Sequence, residues 1–554
     1  MKLRPASLAA LCIALAAPAA LAQPAAPAPA AAPALTAAQW REDLRVMAAE
    51  MELRHANLYH SVSREAFAAA VADLDARIPS LQRHEIIVGM MRIAALVGDG
   101  HTNVSPLKDA RFGFPSLPLR LYEFEDGLYV RAAAPGHAAL VGARVEAIGG
   151  VPVEEARRRV AEISPHDNVS TLRFYAPIFL RIPAILHALR LSDRPDAAAL
   201  TLRKGSRRWT VTVPAGAVEP NWPSDTDISL VTPEGWVDAR TAAAQPLWLQ
   251  APLDYHRLIE LPEQRTLYAQ LNMVTDVDGQ TLDQFARRIR ARAAATNPRA
   301  IVLDLRLNRG GNGSLRFDLA RELIRAEDED TKLFVLSGRG SFSATQFILD
   351  DLARYSEAVL IGEPASSRPN SYGDSYRIVL PNSRLTARVS ILYWQEESVD
   401  RPWTPIDVAA PLTFADYVAG HDPALEAAIG WHRQPTLSER VAAAGSSGGT
   451  AAVRAAAEAW LSDPVNRYRD LESDLIDAAV AADTPQQHAH ALAVARLLAE
   501  RFAASADAQY VLALIAERAG ERETALAAAR RSLAIDRNHR PARSLAERLQ
   551  APPH

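Results

Sequence analysis

The sequence predicts an α/β protein built on a parallel sheet, and three stretches predict it. Residues 301–346 read IVLDLRLNRGGNGSLRFDLARELIRAEDEDTKLFVLSGRGSFSATQ. This is a β-branched run, a double-glycine turn at Gly310 and Gly311, an amphipathic helix, a second strand LFVLS and a Gly-rich elbow ending in Ser343. Strand, helix and strand in that order form a right-handed βαβ unit, which leaves both turns at the same end of the sheet. The preceding RTLYAQLNMV and LDQFARRIRARAAAT repeat strand and helix, and the following QFILDDLARY and AVLIGEPA add another helix and a buried strand. Open α/β sheets place their sites at such an end.

Each turn offers half of an acyl-transfer centre. Gly310 and Gly311 carry no Cβ, so their backbone N–H groups can approach a substrate closely. Ser343 stands between a strand and a helix that begins near Ala344, a position that exposes its hydroxyl and aims its neighbour's N–H the same way. The glycines and the Ala344 N–H then form an oxyanion hole. An ordinary strand-to-helix turn with Ser343 as helix N-cap fits the same spacing.

LDLRLNRGG followed by GSFSATQ resembles the tail-specific (C-terminal-processing) serine peptidases and the related tricorn protease core, over residues 39–429. The resemblance implies a crotonase/ClpP-like α/β catalytic core with Ser343 as nucleophile and with Gly310 or Gly311 and Ala344 at the oxyanion. The tricorn-like branch carries its general base in a D-x-H-T loop upstream, and His101 in Gly98-Asp99-Gly100-His101-Thr102 matches it; Gly100 stands where that branch has a serine. The C-terminal-processing branch instead uses a lysine after the serine, but here the matching turn reads Tyr372-Gly373-Asp374-Ser375 and no lysine follows Lys332. A carboxylate cannot serve as the neutral amine of that dyad. Residues 395–411, QEESVDRPWTPIDVAAP, resemble the family's E-x-x-G-V-x-P-D segment, with Trp403 and Ile406 in place of its glycine and proline. They put Asp400 where an acid would orient the imidazole; Glu396, Glu397 and Asp374 are the alternatives.

Along the chain, MKLRPASLAALCIALAAPAALA has a basic start, an apolar stretch and an Ala-Leu-Ala end, the pattern of a signal peptide over residues 1–22. The only cysteine, Cys12, lies inside it, so the mature chain would hold no thiol. Residues 23–35 are a Pro/Ala linker. Residues 36–106 read as helices, because WREDLRVMAAEM and REAFAAAVADLDARI recur at 3.6 residues and EIIVGMMRIAALV is almost wholly apolar. Residues 107–216 alternate short strands and turns, and GARVEAIGG resembles the PDZ-like module that the family often inserts. Residues 217–433 form the expected peptidase core, including a hairpin from YRIVLPNS and RLTARVSILYW. Residues 434–554 turn Ala-, Arg- and Leu-rich with helical periodicity and resemble a tetratricopeptide-like tail, Ala491 and Arg496 matching Ala525 and Arg530 at an offset of 34. His488 and His490, two apart on a helix, point to different faces and make a poor metal pair.

A net charge of −4 and a pI near 6.4 exclude nucleic acid or anionic membrane as the main partner. No apolar run outside the leader is long enough to span a bilayer. Neither an HExxH, a P-loop nor a dinucleotide fingerprint appears, so no metal and no cofactor is expected. The sequence therefore predicts an exported, periplasmic or secreted serine peptidase acting on peptide or unfolded protein, with a helical tail able to engage a partner. The alternatives are an inactive peptide- or ligand-binding protein on the same fold and an esterase-type acyl hydrolase.

Overall fold

Five short runs with apolar side chains on both faces make the centre of the molecule. In the computed structural model, β10 (Thr266–Leu271), β11 (Ala300–Asp304), β12 (Lys332–Ser337), β13 (Val359–Gly362) and β16 (Val408–Ala409) pair in parallel, and β9 (His256–Leu261) closes one edge antiparallel. Alternation divides the strands. Leu267, Ala269, Ile301, Leu303, Leu333 and Val335 face α7 (Leu282–Thr296), α8 (Arg316–Ile324) and α9 (Ala344–Tyr355). Tyr268, Val302, Phe334 and Leu336 face α10 (Pro423–Ile429). Strands covered on both sides read as continuous apolar runs, which is why this sheet is legible as parallel.

The structure describes residues 34–107, 110–216, 230–240 and 245–550, of which Leu35 onward belong to one unit. The expected signal peptide and all but the last two residues of the Pro/Ala linker lie outside the described residues.

The N-terminal helices α1 (Ala37–Arg54), α2 (Arg64–Arg77) and α3 (Arg83–Ala95) form as their periodicity predicts. Thr36 and Ser63 cap the first two through their hydroxyls. Their apolar faces share a core with a hairpin far along the chain, β14 (Ser371–Val379) and β15 (Thr386–Trp394). Fully buried Asp43 of α1 fastens that hairpin's turn by accepting the N–H groups of Asn382 at 2.9 Å and Ser383 at 2.8 Å. A two-residue strand, β1 (Asn103–Val104), then pairs antiparallel with β15, Asn103 opposite Arg388.

A second, antiparallel sheet runs β2 (Leu119–Phe124), β3 (Gly127–Ala133), β4 (Arg144–Ile148), β6 (Ala197–Lys204) and β7 (Arg207–Pro214). β5 (Val151–Pro152) joins β4, and β8 (Val237–Asp238), beyond the expected module boundary at 216, joins β3. Between them lie α4 (Val153–Ala161), α5 (Val169–Phe179) and α6 (Pro183–Ala188). The tail is all helix: Leu437–Ser462, broken at Gly449 (φ 65°, ψ −158°), then Leu471–Ala481, His488–Arg501, Ala506–Arg518, Arg522–Ile535 and Arg540–Gln550, each packed on the next. The connection between the first two of these helices docks on the core, where Ile406 N–H donates to the Tyr468 carbonyl at 3.1 Å and Arg469 meets Asp407 at 3.2 Å.

Candidate active site

The run IVLDLRL leaves the sheet at Asp304, before the strand end that its β-branched pattern predicts. Asp304 accepts the Arg306 N–H at 3.0 Å and, with Asp422, holds the Arg306 guanidinium in a double carboxylate clamp over the Trp248 ring. Arg306 is thus structural: it locks the exit of β11. The buried Asn308 side chain then shapes the glycine turn, donating to the Leu271 carbonyl at 3.0 Å and accepting the Gly310 N–H at 2.9 Å. Gly310 and Gly311 have φ of 97° and 142°, which side-chain-bearing residues rarely adopt.

The elbow after β12 is tied to the same turn. The Phe342 N–H and the Thr345 hydroxyl both donate to the Asn308 carbonyl at 3.0 Å, and the Ser341 hydroxyl donates to Leu305 O at 2.9 Å. These bonds hold Ser343 at φ 58°, ψ −126°, a strained conformation for a residue with a Cβ. Such strain persists where the surroundings over-determine it, and a sharp strand-to-helix turn of this kind presents a serine hydroxyl outward. Ser343 makes no side-chain cap to α9. Its own N–H donates to Ser367 Oγ at 2.8 Å.

His101 meets it there. Its Nε2 lies 3.0 Å from Ser343 Oγ, although the two residues are 242 positions apart. The imidazole stacks on Phe342, with ring centroids 4.5 Å apart. Asp99 shapes the loop beneath: its buried Oδ1 accepts the N–H of His101 at 2.9 Å, the N–H of Thr102 at 2.7 Å and the Ser390 hydroxyl at 2.8 Å. Burial opposes the Asp99 charge, but the hydrogen bonds from His55, Ser390 and Thr102 outweigh it and hold the carboxyl below its usual range. Desolvation pushes the His101 pKa below the ordinary histidine value; the Asp99 charge opposes this and Arg309 adds to it. The imidazole is therefore neutral near pH 7, the form that accepts a proton.

Of the sequence-predicted residues, Ser343, His101, Gly310, Gly311 and Ala344 come together. The Gly310 N–H is taken by Asn308, whereas among the described residues no hydrogen bond takes the N–H of Gly311 or of Ala344, the first residue of α9. Asp400 does not join them. It is exposed and paired with Arg368 at 2.8 Å. Glu396 forms a two-pronged pair with Arg316 at 3.0 Å, Glu397 faces Arg354 and Arg401, and Asp374 accepts the Trp394 indole N–H at 2.7 Å. No carboxylate reaches the ring: His101 Nδ1 is buried without a partner at hydrogen-bond geometry among the described residues. Asp99 supplies the strongest favourable charge, Asp374, one of the predicted alternatives, acts through space as the next, and the Tyr372 backbone adds a weaker contribution.

Two residues near the site escape sequence reading. Ser367 lies after β13 at the same end of the sheet as both turns, and that position is its one sequence signal. Asp167, in the Pro165-His166-Asp167-Asn168 connection, accepts the Gly100 N–H at 2.7 Å, and its other oxygen is buried without a partner at hydrogen-bond geometry among the described residues, with the Ser367 hydroxyl its nearest favourable group. Burial, with the Asp99 charge nearby, pushes this carboxyl up to about 7.

One cluster of the described residues has metal-like spacing, His55, His60 and Asp99, with ligand atoms within 4.8 Å of one another. Its hydrogen bonds oppose that use. Asn57 N–H donates to His55 Nδ1 at 2.9 Å, so the ring proton sits on Nε2 and is donated to Asp99 at 2.9 Å, leaving no lone pair for an ion.

Beside Ser343 opens a cavity of ≈ 520 Å³, walled by Met91, Val104, Phe179 and Met273 and by the polar Tyr175 and Arg309. Arg309 lies between the rings of Phe174 and Phe342. No family model matches the chain, and no curated protein matches it. Solved structures similar to it include mature CPAF complexed with lactacystin, at 12% identity and a TM-score of 0.47, covering 69% of this chain and 95% of that one. The photosystem II D1 C-terminal processing protease is similar at 15% identity and a TM-score of 0.31, over 70% of this chain and 99% of that one. The tricorn protease is similar at 11% identity and a TM-score of 0.29, over 71% of this chain and 36% of that one.

Proposed function

We propose that this chain is an exported serine-type peptidase. The observation that carries the reading is the 3.0 Å contact between His101 Nε2 and the hydroxyl of a serine held in a strained elbow. Ser343 Oγ attacks a peptide carbonyl as His101 Nε2 takes its proton, and the N–H groups of Gly311 and Ala344 receive the oxyanion at the positive end of α9. His101 then gives the proton to the leaving amine, and water enters by the reverse path to release the acyl group. The buried Asp99 charge stabilises the transient imidazolium through space, in place of a carboxylate on Nδ1. The basic start, apolar stretch and Ala-Leu-Ala end of the leader support export.

The unpartnered Nδ1 favours a second reading, an inactive protein that captures a peptide in the same cavity. A fluorophosphonate probe divides the two. The peptidase reading expects the mature chain to label, labelling to vanish in Ser343→Ala and to slow by about 10²–10⁴-fold in His101→Ala, and Asp400→Ala to label like wild type. An unlabelled wild-type protein supports the binder. Matched peptide and ester substrates then separate a peptidase from an esterase.

A further inference from the structure

The cavity beside Ser343 shares Ser105 and Arg388 with a second pocket of ≈ 320 Å³, whose other charged walls are Arg111, Arg377 and Arg384. Four guanidiniums surround this space, and among the described residues no acidic side chain lines it. Arg377 and Arg388 are direct register partners across the β14–β15 hairpin, and like charges placed opposite one another destabilise an antiparallel pair. Arg384 stands in the turn of the same hairpin at φ 62°. Among the described residues none of these three forms an ion pair. Arg377 and Arg388 reach only the hydroxyls of Thr386 at 3.5 Å and Ser375 at 3.4 Å.

Three arginines beside the parallel sheet show the opposite arrangement. Arg306, Arg316 and Arg339 each hold a carboxylate at 3.0 Å or less, in a chain whose net charge is −4. Among the described residues nothing compensates the hairpin arginines, and they continue a positive path that begins at Arg309 beside the nucleophile. Register sets their distance from the chemistry. Arg388 is opposite Asn103, two residues after His101, which places the pocket roughly two or three extended residues from the scissile bond at about 3.3 Å per residue.

We propose that this arginine pocket is a substrate subsite for a carboxylate, so that the enzyme prefers acidic polypeptide; the proposal rests on the peptidase reading above. A carboxylate there would meet forked donors in the geometry that guanidinium groups favour. It would also relieve the repulsion between Arg377 and Arg388.

The test uses three peptides with one cleavable centre. One carries Glu two and three residues to either side and an amidated end, one carries Gln at those positions and an amidated end, and one carries Gln and a free C-terminal carboxylate. At low salt the mature chain should cleave the first or the third with kcat/KM about tenfold or more above the second, and the advantage should shrink as salt rises. Which of the two gains identifies the carboxylate as a side chain or a chain end. In Arg377→Gln/Arg384→Gln the ratio should fall towards one, and the corresponding Lys pair should restore part of it. Binding of the same peptides to Ser343→Ala, followed by fluorescence anisotropy, reads the subsite without the chemistry. Equal binding and equal cleavage of all three, or a ratio that survives the Gln pair, overturns the subsite and leaves the peptidase reading intact. A wild-type protein that cleaves nothing yet binds the acidic peptide preferentially overturns the peptidase reading alone.

Discussion

Gly310→Ala is the sharpest probe of how the site is built. A Cβ at Gly310 would lie 2.7 Å from Ser343 Cβ, 2.8 Å from the Phe342 carbonyl oxygen and 3.0 Å from the Ala344 nitrogen. None of these is the loose end of a flexible side chain, so the elbow itself must move by roughly half an ångström or more to restore ordinary contact near 3.5 Å. A φ of 97° adds about 1–2 kcal/mol for a residue with a Cβ. Gly279→Ala is the control: its φ is 79°, yet a Cβ there meets nothing within 4 Å. It should lose stability by the conformational cost alone. A displacement of about 1 Å at a reacting group lowers rate about a hundredfold. Gly310→Ala should therefore cut kcat/KM and fluorophosphonate labelling by roughly 10–100-fold, while Gly279→Ala keeps both and shifts only the melting temperature. Should Gly310→Ala label at the wild-type rate with its fold intact, the packing of the elbow on the glycine turn has no part in positioning Ser343.

Two further predictions follow from the ionisable groups. Desolvation holds His101 neutral to a lower pH than an ordinary histidine, so kcat/KM should stay on its plateau down through pH 6.5 and fall only below it. A rate halved at or above pH 7 with an intact fold would show that another group limits the reaction. Asp167 has its folded carboxyl raised from 3.8 to about 7. The stabilisation it gives is complete below pH 3.8 and is lost as pH rises through about 7. Asp167→Asn, which cannot ionise, should melt higher than wild type at pH 8 and by a clearly smaller margin at pH 5, as read by thermal unfolding at both pH values. A lower melting temperature at pH 8 would contradict that sign.

Much of the fold was legible because its information is local. The 3.6-residue recurrence of α1 and α2, the apolar runs of β10 to β13 and the glycine turn each express a preference of a short stretch of chain. The opposed turns at one sheet end follow from the handedness of βαβ units. Ser343, Gly311 and Ala344 are legible locally because all three sit inside a single unit. His101 is legible only through the resemblance of its loop.

Partners in the hydrogen-bond network are decided over long separations, and there the sequence was silent or misled. Asp400 sits in a segment that resembles an acidic motif, but Arg368 captures it at the surface. Asp99 pairs with His55, and Ser367 and Asp167 reach the site from separate connections. By itself the sequence determined a parallel α/β core, a serine elbow at the same sheet end as the paired glycines, and a helical tail. Only tertiary structure decided which imidazole meets the hydroxyl, because β1 is fixed on β15 by a hairpin that α1 anchors through Asp43, and no periodicity in a linear chain encodes contacts 242 residues apart.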